Sequence, residues 1–323
     1  MKKLNYLLAS FSFLFVVSAL AKNEALLNEI IAQASVSESD SVVIIQNNQT
    51  LYSHFTAGQD QLHNVQSITK SVAGLAIGIL LDEGKITSLD LLMSKWYPEW
   101  AQDEIKSKIT LRMMMSHTSG LSDTLAPDDF FKSPDLITAG RGLPTNAEPG
   151  SRFEYCNVAI VLLQPVIEQS AGIKLEKFIA LKIFSPLGIT EFKFRNDSFG
   201  HESLAGGLSL NTDGLIRLGQ LVLGQGEFKG KKIISKQALN TLLTKHQDFK
   251  SYGLLWWLGR RDGALESEPY ELFKAIGWGG QYIVIYPTMN LIAVRTKDPY
   301  TIDDAKYEVQ NFPEFPKLIA KWQ

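Results

Sequence analysis

The spacing of apolar and polar residues changes along the chain, and this spacing predicts the first secondary-structure elements. Ser41–Gln46 and Leu51–Phe55 flank the turn-forming triplet Asn47-Asn48-Gln49, which predicts a β-hairpin. Ser67–Leu81 follows as an apolar stretch that Gly84 ends, and it is long enough for a buried helix. The chain therefore starts with strands and passes into a helix.

The middle of the chain has helical spacing, and strand periodicity returns towards the end. Helices are predicted at Ile160–Ser170, Leu175–Ile183 and Thr212–Leu223. Short β-type runs follow at Tyr252–Leu258, Leu272–Ile276, Gln281–Tyr286 and Leu291–Thr296. A last helix is expected near Asp303, interrupted by Pro313 and Pro316. The pattern predicts an α+β fold: an antiparallel sheet from both chain ends (about 40–60 and 250–300), flanked by helices, with a mainly helical region inserted at about 67–245.

The first 21 residues have the three parts of a secretory signal peptide. Lys2 and Lys3 form a positive start, Leu7–Leu20 is apolar, and Ala19-Leu20-Ala21 fits a cleavage site. An uncleaved anchor is the alternative, but this apolar stretch of about 14 residues falls short of the roughly 20 that span a bilayer. We therefore expect cleavage after residue 21, a mature domain over 22–323 with no stable membrane span, and a periplasmic or secreted location.

The amino-acid composition excludes several classes of protein. The 323 residues are 45% apolar and 20% charged, as in ordinary globular proteins, which excludes disordered and collagen-like chains. The formal net charge of −2 provides no basic field for nucleic acid, so none is expected as a partner. Cys156 is the single cysteine, so an intramolecular disulfide is impossible.

One Ser-x-x-Lys tetrapeptide, Ser67-Ile68-Thr69-Lys70, occurs in the chain, and it opens the predicted buried helix. Residues i and i+3 share a helix face, so Lys70 can lie beside the Ser67 hydroxyl. The helix dipole and apolar surroundings both disfavour a charged lysine there, and a neutral lysine can take the serine proton. The alternative is a serine N-cap followed by an ordinary first-turn lysine.

Two further segments can contribute to the same chemistry. In Tyr155-Cys156-Asn157, the tyrosine can relay a proton to a leaving group and the asparagine can orient lysine or substrate. Gly277-Trp278-Gly279-Gly280-Gln281 leads into a strand, where glycines permit close backbone approach to a bound molecule. Its amides can supply half of an oxyanion hole, with the Ser67 amide as the other half. The alternative is a glycine turn that only joins two strands.

This order of motifs resembles the serine β-lactamases and penicillin-binding proteins. The class C branch is the most similar, since it has Tyr-x-Asn, and its relatives include serine esterases and 6-aminohexanoate-dimer hydrolases. The resemblance extends over about residues 25–310 and includes three more segments: Met114–Leu121, Pro149–Asn157, and Ala205–Ser209 with Asp213.

The resemblance implies a role for each candidate. Ser67 would be the nucleophile, Lys70 the base and Tyr155 the proton relay. The implied substrate contacts are Asn157, Trp278, Gly279, Gly280 and Gln281, and the amides of Ser67 and Gln281 would form the oxyanion hole. No cofactor is implied.

The chain departs from the family at one place. Trp278-Gly279-Gly280 stands where β-lactamases and penicillin-binding proteins usually have Lys-Thr-Gly or His-x-Gly. Trp278 cannot pair with the carboxylate of a penicillin or a D-alanyl peptide, which favours a neutral or larger acyl substrate. We therefore expect an esterase- or amidase-like hydrolase of small esters, amides or peptides. A β-lactamase or D-alanyl-D-alanine carboxypeptidase, and a non-enzymatic sensor module, are the alternatives.

His117 suggests a Ser-His-Asp triad as another possibility, but a role in bracing its loop fits the resemblance better. The five histidines are scattered, and neither His-x-His nor His-Glu-x-x-His occurs. No metal site is predicted.

Overall fold

The computed structural model describes residues 21–58, 60–246 and 248–323. The predicted leader lies outside these ranges except for its last residue. Helix α1 covers residues 21–36 of the described chain. In these ranges no single helix is long and apolar enough to cross a membrane; Asn157–Ala171 and Leu175–Leu187 pass that test only together, across a 67° bend.

A six-stranded antiparallel sheet forms the centre of the molecule, in the order β2-β1-β11-β10-β9-β8. Its strands come from both ends of the chain: β1 (Ser41–Gln46), β2 (Gln49–Phe55), β8 (Trp257–Gly259), β9 (Leu272–Gly277), β10 (Gln281–Tyr286) and β11 (Leu291–Thr296). Smaller strands pair in the order β3-β5-β4 and as β6-β7: β3 (His63–Asn64), β4 (Phe192–Phe194), β5 (Leu208–Leu210), β6 (Glu227–Phe228) and β7 (Lys231–Lys232). The predicted fold class is confirmed.

Helices fill the middle of the chain and return at its end. They are α2 (Ile68–Asp82), α3 (Leu111–Met115), α4 (Leu136–Gly142), α5 (Asn157–Val161), α6 (Leu163–Ala171), α7 (Leu175–Ile179), α8 (Ser185–Leu187), α9 (Thr212–Leu223) and α10 (Lys236–Leu242). After the sheet come α11 (Tyr307–Asn311) and α12 (Phe315–Ala320). Phe312, in the left-handed conformation, and Pro313 separate these last two helices, so the predicted terminal helix is two short ones.

The first hairpin forms as predicted. Asn47 and Asn48 both have positive φ, 52° and 60°, which is the two-residue turn whose twist matches that of paired strands. Asparagine tolerates this conformation better than most residues. The hairpin places β1 beside β11, the strand from the other end of the chain.

Side chains of the two central strands alternate between two hydrophobic cores. On β10, Ile283 and Ile285 pack into the core shared with α2 and α9. Tyr282, Val284 and Tyr286 pack into the opposite core, with α1 and α12. All six residues of β10 and of β11 are buried, as expected for strands that are covered on both faces.

The predicted strand at Tyr252–Leu258 is wrong over most of its length, since only Trp257–Gly259 forms β8. Leu255 has a φ of +64°, which breaks an extended conformation. Its amide donates to the Met115 carbonyl and its carbonyl accepts the Ser71 hydroxyl of α2. Contacts with the helical region therefore override the β-type pattern of this segment.

Strand β8 covers only part of the outer edge of β9. Its pairing runs from Gly259 opposite Leu272 to Trp257 opposite Lys274. Within the described residues, Ala275–Gly277 has no strand on that side. This uncovered end of β9 leads into the glycine-rich turn.

The glycine-rich turn after β9 is held by Arg295, a fully buried side chain on β11. Its guanidinium donates hydrogen bonds to the carbonyls of Gly279, Gly280, Ser37 and Gln310 and to the Ser39 hydroxyl. Among the residues that the structure describes, no carboxylate forms an ion pair with it. The cation is therefore stabilised by peptide dipoles, and the turn is fixed to both ends of the chain.

Gly280 packs directly on this guanidinium, and a Cβ at Gly280 would overlap Arg295 Nη1 and the Asn311 carbonyl. Gly280→Ala should lower the free energy of unfolding by about 3 kcal/mol or more, from left-handed strain plus overpacking. Gly200→Ala is a matched control, because Gly200 has a similar φ (+83° against +81°) and open space around it. That control should cost only about 1 kcal/mol in urea unfolding. Equal losses for the two variants would contradict the tight packing at Gly280.

Candidate active site

Ser67 lies at the N-cap of α2, directly after a strained turn. Gln66 has a φ of +51°, which is unfavourable for a residue with a side chain. The amides of Ile68, Thr69 and Lys70 bond to carbonyls three residues earlier. Within the described ranges, the Ser67 amide makes no hydrogen bond. This N–H is therefore available to a ligand at the N-terminus of α2.

Lys70 lies one turn further along α2, with 1% of its side chain exposed. Its Nζ donates to Ser67 Oγ at 2.8 Å. It also donates to the Ala205 carbonyl, on the turn before β5. That turn lies next to the one that carries Ser67, since a Cβ at Gly206 would be in ordinary van der Waals contact with the backbone of Gln66.

Burial decides the charge of Lys70. Desolvation lowers its pKa from 10.5 to about 7, although the Asp123 carboxylate opposes part of the shift. A large share of the amine is therefore neutral at neutral pH. A neutral Nζ that donates to the Ala205 carbonyl can direct its lone pair at Ser67 Oγ.

Tyr155 lies on the other side of this amine, which is 5.0 Å from the centroid of its ring. Burial raises the pKa of Tyr155 to about 12, and interaction with the Ser67 side chain offsets part of that increase. The phenol is therefore protonated at neutral pH. It can donate a proton, and it can be reprotonated from a neighbouring donor.

Aromatic rings surround Tyr155. The ring of His117 lies 4.4 Å from it and that of Trp257 lies 6.1 Å away, nearly parallel. Tyr252 and Phe153 pack against both of these neighbours. The cluster fixes the tyrosine ring and makes this side of the site apolar.

His117 braces the segment that carries Tyr155. Its Nδ1 accepts the Cys156 amide at 3.2 Å, and its carbonyl accepts the Glu154 amide at 2.8 Å. Burial lowers the pKa of His117 well below its usual value, and the nearby Lys70 lowers it further, so the ring is neutral. His117 Nε2 has no partner in the described part of the chain. These contacts agree with the predicted loop-bracing role and provide no carboxylate for a Ser-His-Asp triad.

Asn157 begins α5, and its side chain is held by Asp123, a residue that the sequence analysis missed. Asn157 Nδ2 donates to Asp123 Oδ2 at 2.7 Å. The same carboxylate accepts the backbone amides of Asn157 at 2.9 Å and Val158 at 3.0 Å. The one available signal was position, since Asp123 follows the Met114–Leu121 motif by two residues.

The glycine-rich segment reaches the site through its first two residues. A Cβ at Gly277 would overlap the Val65 carbonyl, so the end of β9 lies against the turn that carries the nucleophile. Trp278, 47% exposed, stacks on Tyr307 at 5.5 Å. It is thus available as an aromatic wall.

The other predicted substrate contacts of this segment face into the protein. Gly279 interacts through its backbone with the Tyr307 side chain, and the carbonyls of Gly279 and Gly280 accept Arg295. The Gln281 side chain is fully buried and bonds at both ends to the Lys297 backbone. Only main-chain groups of these three residues are left for a ligand.

One group of side chains has the donor atoms of a metal site. The ligand atoms of Asp135, Asp197 and His201 lie within 4.8 Å of one another. Asp197 already accepts the amides of Leu136, Phe199 and His201 and the His201 ring. The cluster therefore braces a loop, and we assign no metal to it.

Known proteins are similar to this chain over most of its sequence. The family model described as Beta-lactamase matches residues 27–309. Protein Rv1367c of Mycobacterium tuberculosis is 23% identical over 80% of this chain and 82% of its own length.

Two solved structures have the same fold. A penicillin binding protein from Bacillus halodurans has a TM-score of 0.66 and 19% identity, over 83% of this chain and 94% of its own. EstCE1, described as a hydrolase with promiscuous acyltransferase activity, has a TM-score of 0.68 and 17% identity, over 95% of this chain and 100% of its own.

The buried amine should destabilise the protein in a pH-dependent way. Since the pKa of Lys70 falls from 10.5 to about 7 on folding, the full cost applies below pH 7 and disappears as pH rises towards 10.5. Lys70→Met should therefore raise the free energy of unfolding at pH 6, by up to about 5 kcal/mol. Its advantage over the wild type should shrink from pH 7 to 10 in urea titrations.

Lys193→Met is the control for this experiment, because Lys193 is exposed on β4. It should change stability little at any pH. A difference between Lys70→Met and wild type that is constant from pH 6 to 10 would contradict the lowered pKa.

Proposed function

Because the chain belongs to the beta-lactamase family, we propose that it is an exported serine acyl hydrolase that cleaves esters, amides or peptides through an acyl-enzyme on Ser67. The resemblance inferred from the motifs is confirmed over residues 27–309. The chain is a serine hydrolase, and membership in this family implies small-molecule ester, amide or peptide substrates. Export to a periplasm or the medium belongs to the proposal and depends on the leader at residues 1–21.

One observation carries the proposed mechanism: Lys70 Nζ lies 2.8 Å from Ser67 Oγ in a setting that removes its charge. In the first step the neutral amine takes the hydroxyl proton while Oγ forms a bond to the substrate carbonyl carbon. The carbonyl oxygen becomes an oxyanion. The free Ser67 amide is proposed to stabilise it, with the backbone amide of Gln281, at the start of β10, as the second donor.

The second step expels the leaving group. As the bond from carbon to the leaving oxygen or nitrogen breaks, the Tyr155 hydroxyl donates its proton to that atom. The protonated Lys70 amine, which lies beside the Tyr155 ring, then returns a proton to the tyrosine oxygen and becomes neutral again. Water then attacks the acyl-enzyme with the same groups acting in reverse, which releases the acid and regenerates Ser67.

The surroundings of the site favour an uncharged substrate. Trp278 borders one side, stacked on Tyr307, and Trp257 stacks beside Tyr155 on the other. Both surfaces gain from contact with apolar groups and offer no cation to a carboxylate. We therefore place neutral acyl esters and amides ahead of penicillins and D-alanyl peptides, whose carboxylates would be left without a partner.

Two alternatives are tested by the same reagents. A β-lactamase or D-alanyl-D-alanine carboxypeptidase would turn over nitrocefin or a D-alanyl-D-alanine peptide rapidly. A sensor module would acylate at Ser67 and release product from no ester. Both alternatives are tested because a penicillin binding protein from Bacillus halodurans has the same fold.

Covalent labelling tests the nucleophile and the base. A fluorophosphonate probe should label the wild type at Ser67, and Ser67→Ala should abolish labelling. Lys70→Met should slow both labelling and ester hydrolysis about 10²-fold or more, because the general base is lost. Peptide mapping of the labelled protein checks the site. Labelling of Ser67→Ala at the wild-type rate would contradict the assignment.

A matched pair of substrates tests the role of Trp278. The wild type should hydrolyse p-nitrophenyl butyrate with at least tenfold higher kcat/KM than the p-nitrophenyl monoester of succinic acid, whose carboxylate finds no partner. Trp278→Lys should raise kcat/KM for the succinate ester about fivefold, as an exposed ion pair allows. Phe199→Lys is the control, because Phe199 is an aromatic residue with 69% exposure on the loop that Asp197 braces. Equal gains in both variants would argue for bulk charge rather than a specific contact.

A further inference from the structure

Asp123 is a half-buried carboxylate whose contacts all converge on the segment after Tyr155. It accepts the side chain and the backbone amide of Asn157, the amide of Val158, and the thiol of Cys156 at 3.4 Å. Within the described residues, no lysine, arginine or histidine forms an ion pair with it. The carboxylate is therefore held by hydrogen bonds alone, close to the buried amine.

The groups that face Lys70 differ in charge. His117, from the loop after α3, is neutral because its pKa is lowered. Tyr155 and Cys156 are neutral because burial raises their pKa values. The turn before β5 contributes only the Ala205 carbonyl. Asp123 is thus the one fully charged side chain that acts on this amine in the described structure.

We propose that Asp123 is a positioning residue of the site, which holds Asn157 and the start of α5 in place and supplies the negative charge that balances Lys70. This inference rests on the proposed function, because it assigns a task within that reaction. Asp123 does not touch Ser67 or the substrate. It acts through Asn157 and through the charge state of Lys70.

The geometric part of this role follows from the shape of an amide group. Once Asn157 Nδ2 donates to Asp123, the plane of the amide is set. Its Oδ1 and its second N–H then keep fixed directions as well. The two backbone amides on the same carboxylate prevent α5 from rotating out of this arrangement.

The electrostatic part concerns the strength of the base. Burial alone would lower the pKa of Lys70 further than it is lowered, and a weaker base accepts a proton less readily. The negative charge of Asp123 opposes that loss. It therefore keeps the amine basic enough to take the Ser67 proton and still largely neutral near pH 7.

The test is the pH dependence of fluorophosphonate labelling at Ser67, which needs no knowledge of the substrate. In the wild type the rate should rise with pH through a midpoint near 7, as Lys70 loses its proton. In Asp123→Asn the midpoint should fall by about one pH unit, because removal of the negative charge favours the neutral amine. Its plateau rate should also fall about tenfold, since an NH2 group that cannot accept replaces one of the two oxygens that hold Asn157 and Val158.

Asp135→Asn is the matched control, since Asp135 caps α4 through the Thr138 amide, beside Asp197 and His201, and lies outside the proposed machinery. It should lose stability and keep the wild-type midpoint. Asp123→Ser is the second variant, because serine removes the charge and leaves a small polar side chain at this position. It should show the same lower midpoint if Asp123→Asn does not fold.

Each outcome has a defined meaning. An unchanged midpoint in both Asp123 variants, with or without a lower plateau, would overturn the electrostatic role and leave a helix cap. An unchanged plateau and an unchanged Asn157 conformation in a crystal of Asp123→Ser would overturn the positioning role. No labelling of the wild type at any pH would instead overturn the proposed function.

Discussion

The candidate active site depends on the burial of one amine, the side-chain amine of Lys70. Lys70 is enclosed by α2, the turn before β5 and the segment that carries Tyr155, and desolvation removes much of its charge at neutral pH. Several features surround that enclosure: the turn before β5 presents the Ala205 carbonyl, His117 fixes the neighbouring segment, and Asp123 limits how far the pKa of Lys70 falls. A core that encloses an ionisable group this way gives up stability, which is common where chemistry needs a perturbed group.

Two buried cations in the same protein are treated in opposite ways. The Lys70 amine has few acceptors and responds by losing its charge. Arg295 keeps its charge, since guanidinium remains protonated near neutral pH even though burial lowers its pKa to about 10. Carbonyl oxygens from three parts of the chain surround it. The surroundings of Lys70 produce a reactive amine, whereas those of Arg295 fix the turn that bears Trp278.

The sequence predicts local features better than long-range ones. The hairpin, α2, β10 and β11 follow from periodicity, and helix geometry alone placed Lys70 next to Ser67. Tyr252–Leu258 has a strand pattern, but contacts of Leu255 with Met115 and Ser71 decide its conformation, and no local rule encodes them. Asp123 was missed for the same reason: its partners lie more than thirty residues away. The direction in which Gly279 and Gly280 face depends on Arg295, which lies on another strand 15 or 16 residues further along the chain.

The position of β11 has a consequence for how the molecule is made. This strand is synthesised after the other five strands of the sheet, yet it lies in the interior of the sheet, between β1 and β10. Until it emerges, β1 and β10 have no common neighbour, so the two halves of the sheet cannot join. Pairing between such distant segments is intrinsically slow. A nascent chain would carry Ser67 and Lys70 long before any cleft encloses them, and catalytic competence would arrive only after β11 has been synthesised and has joined the sheet.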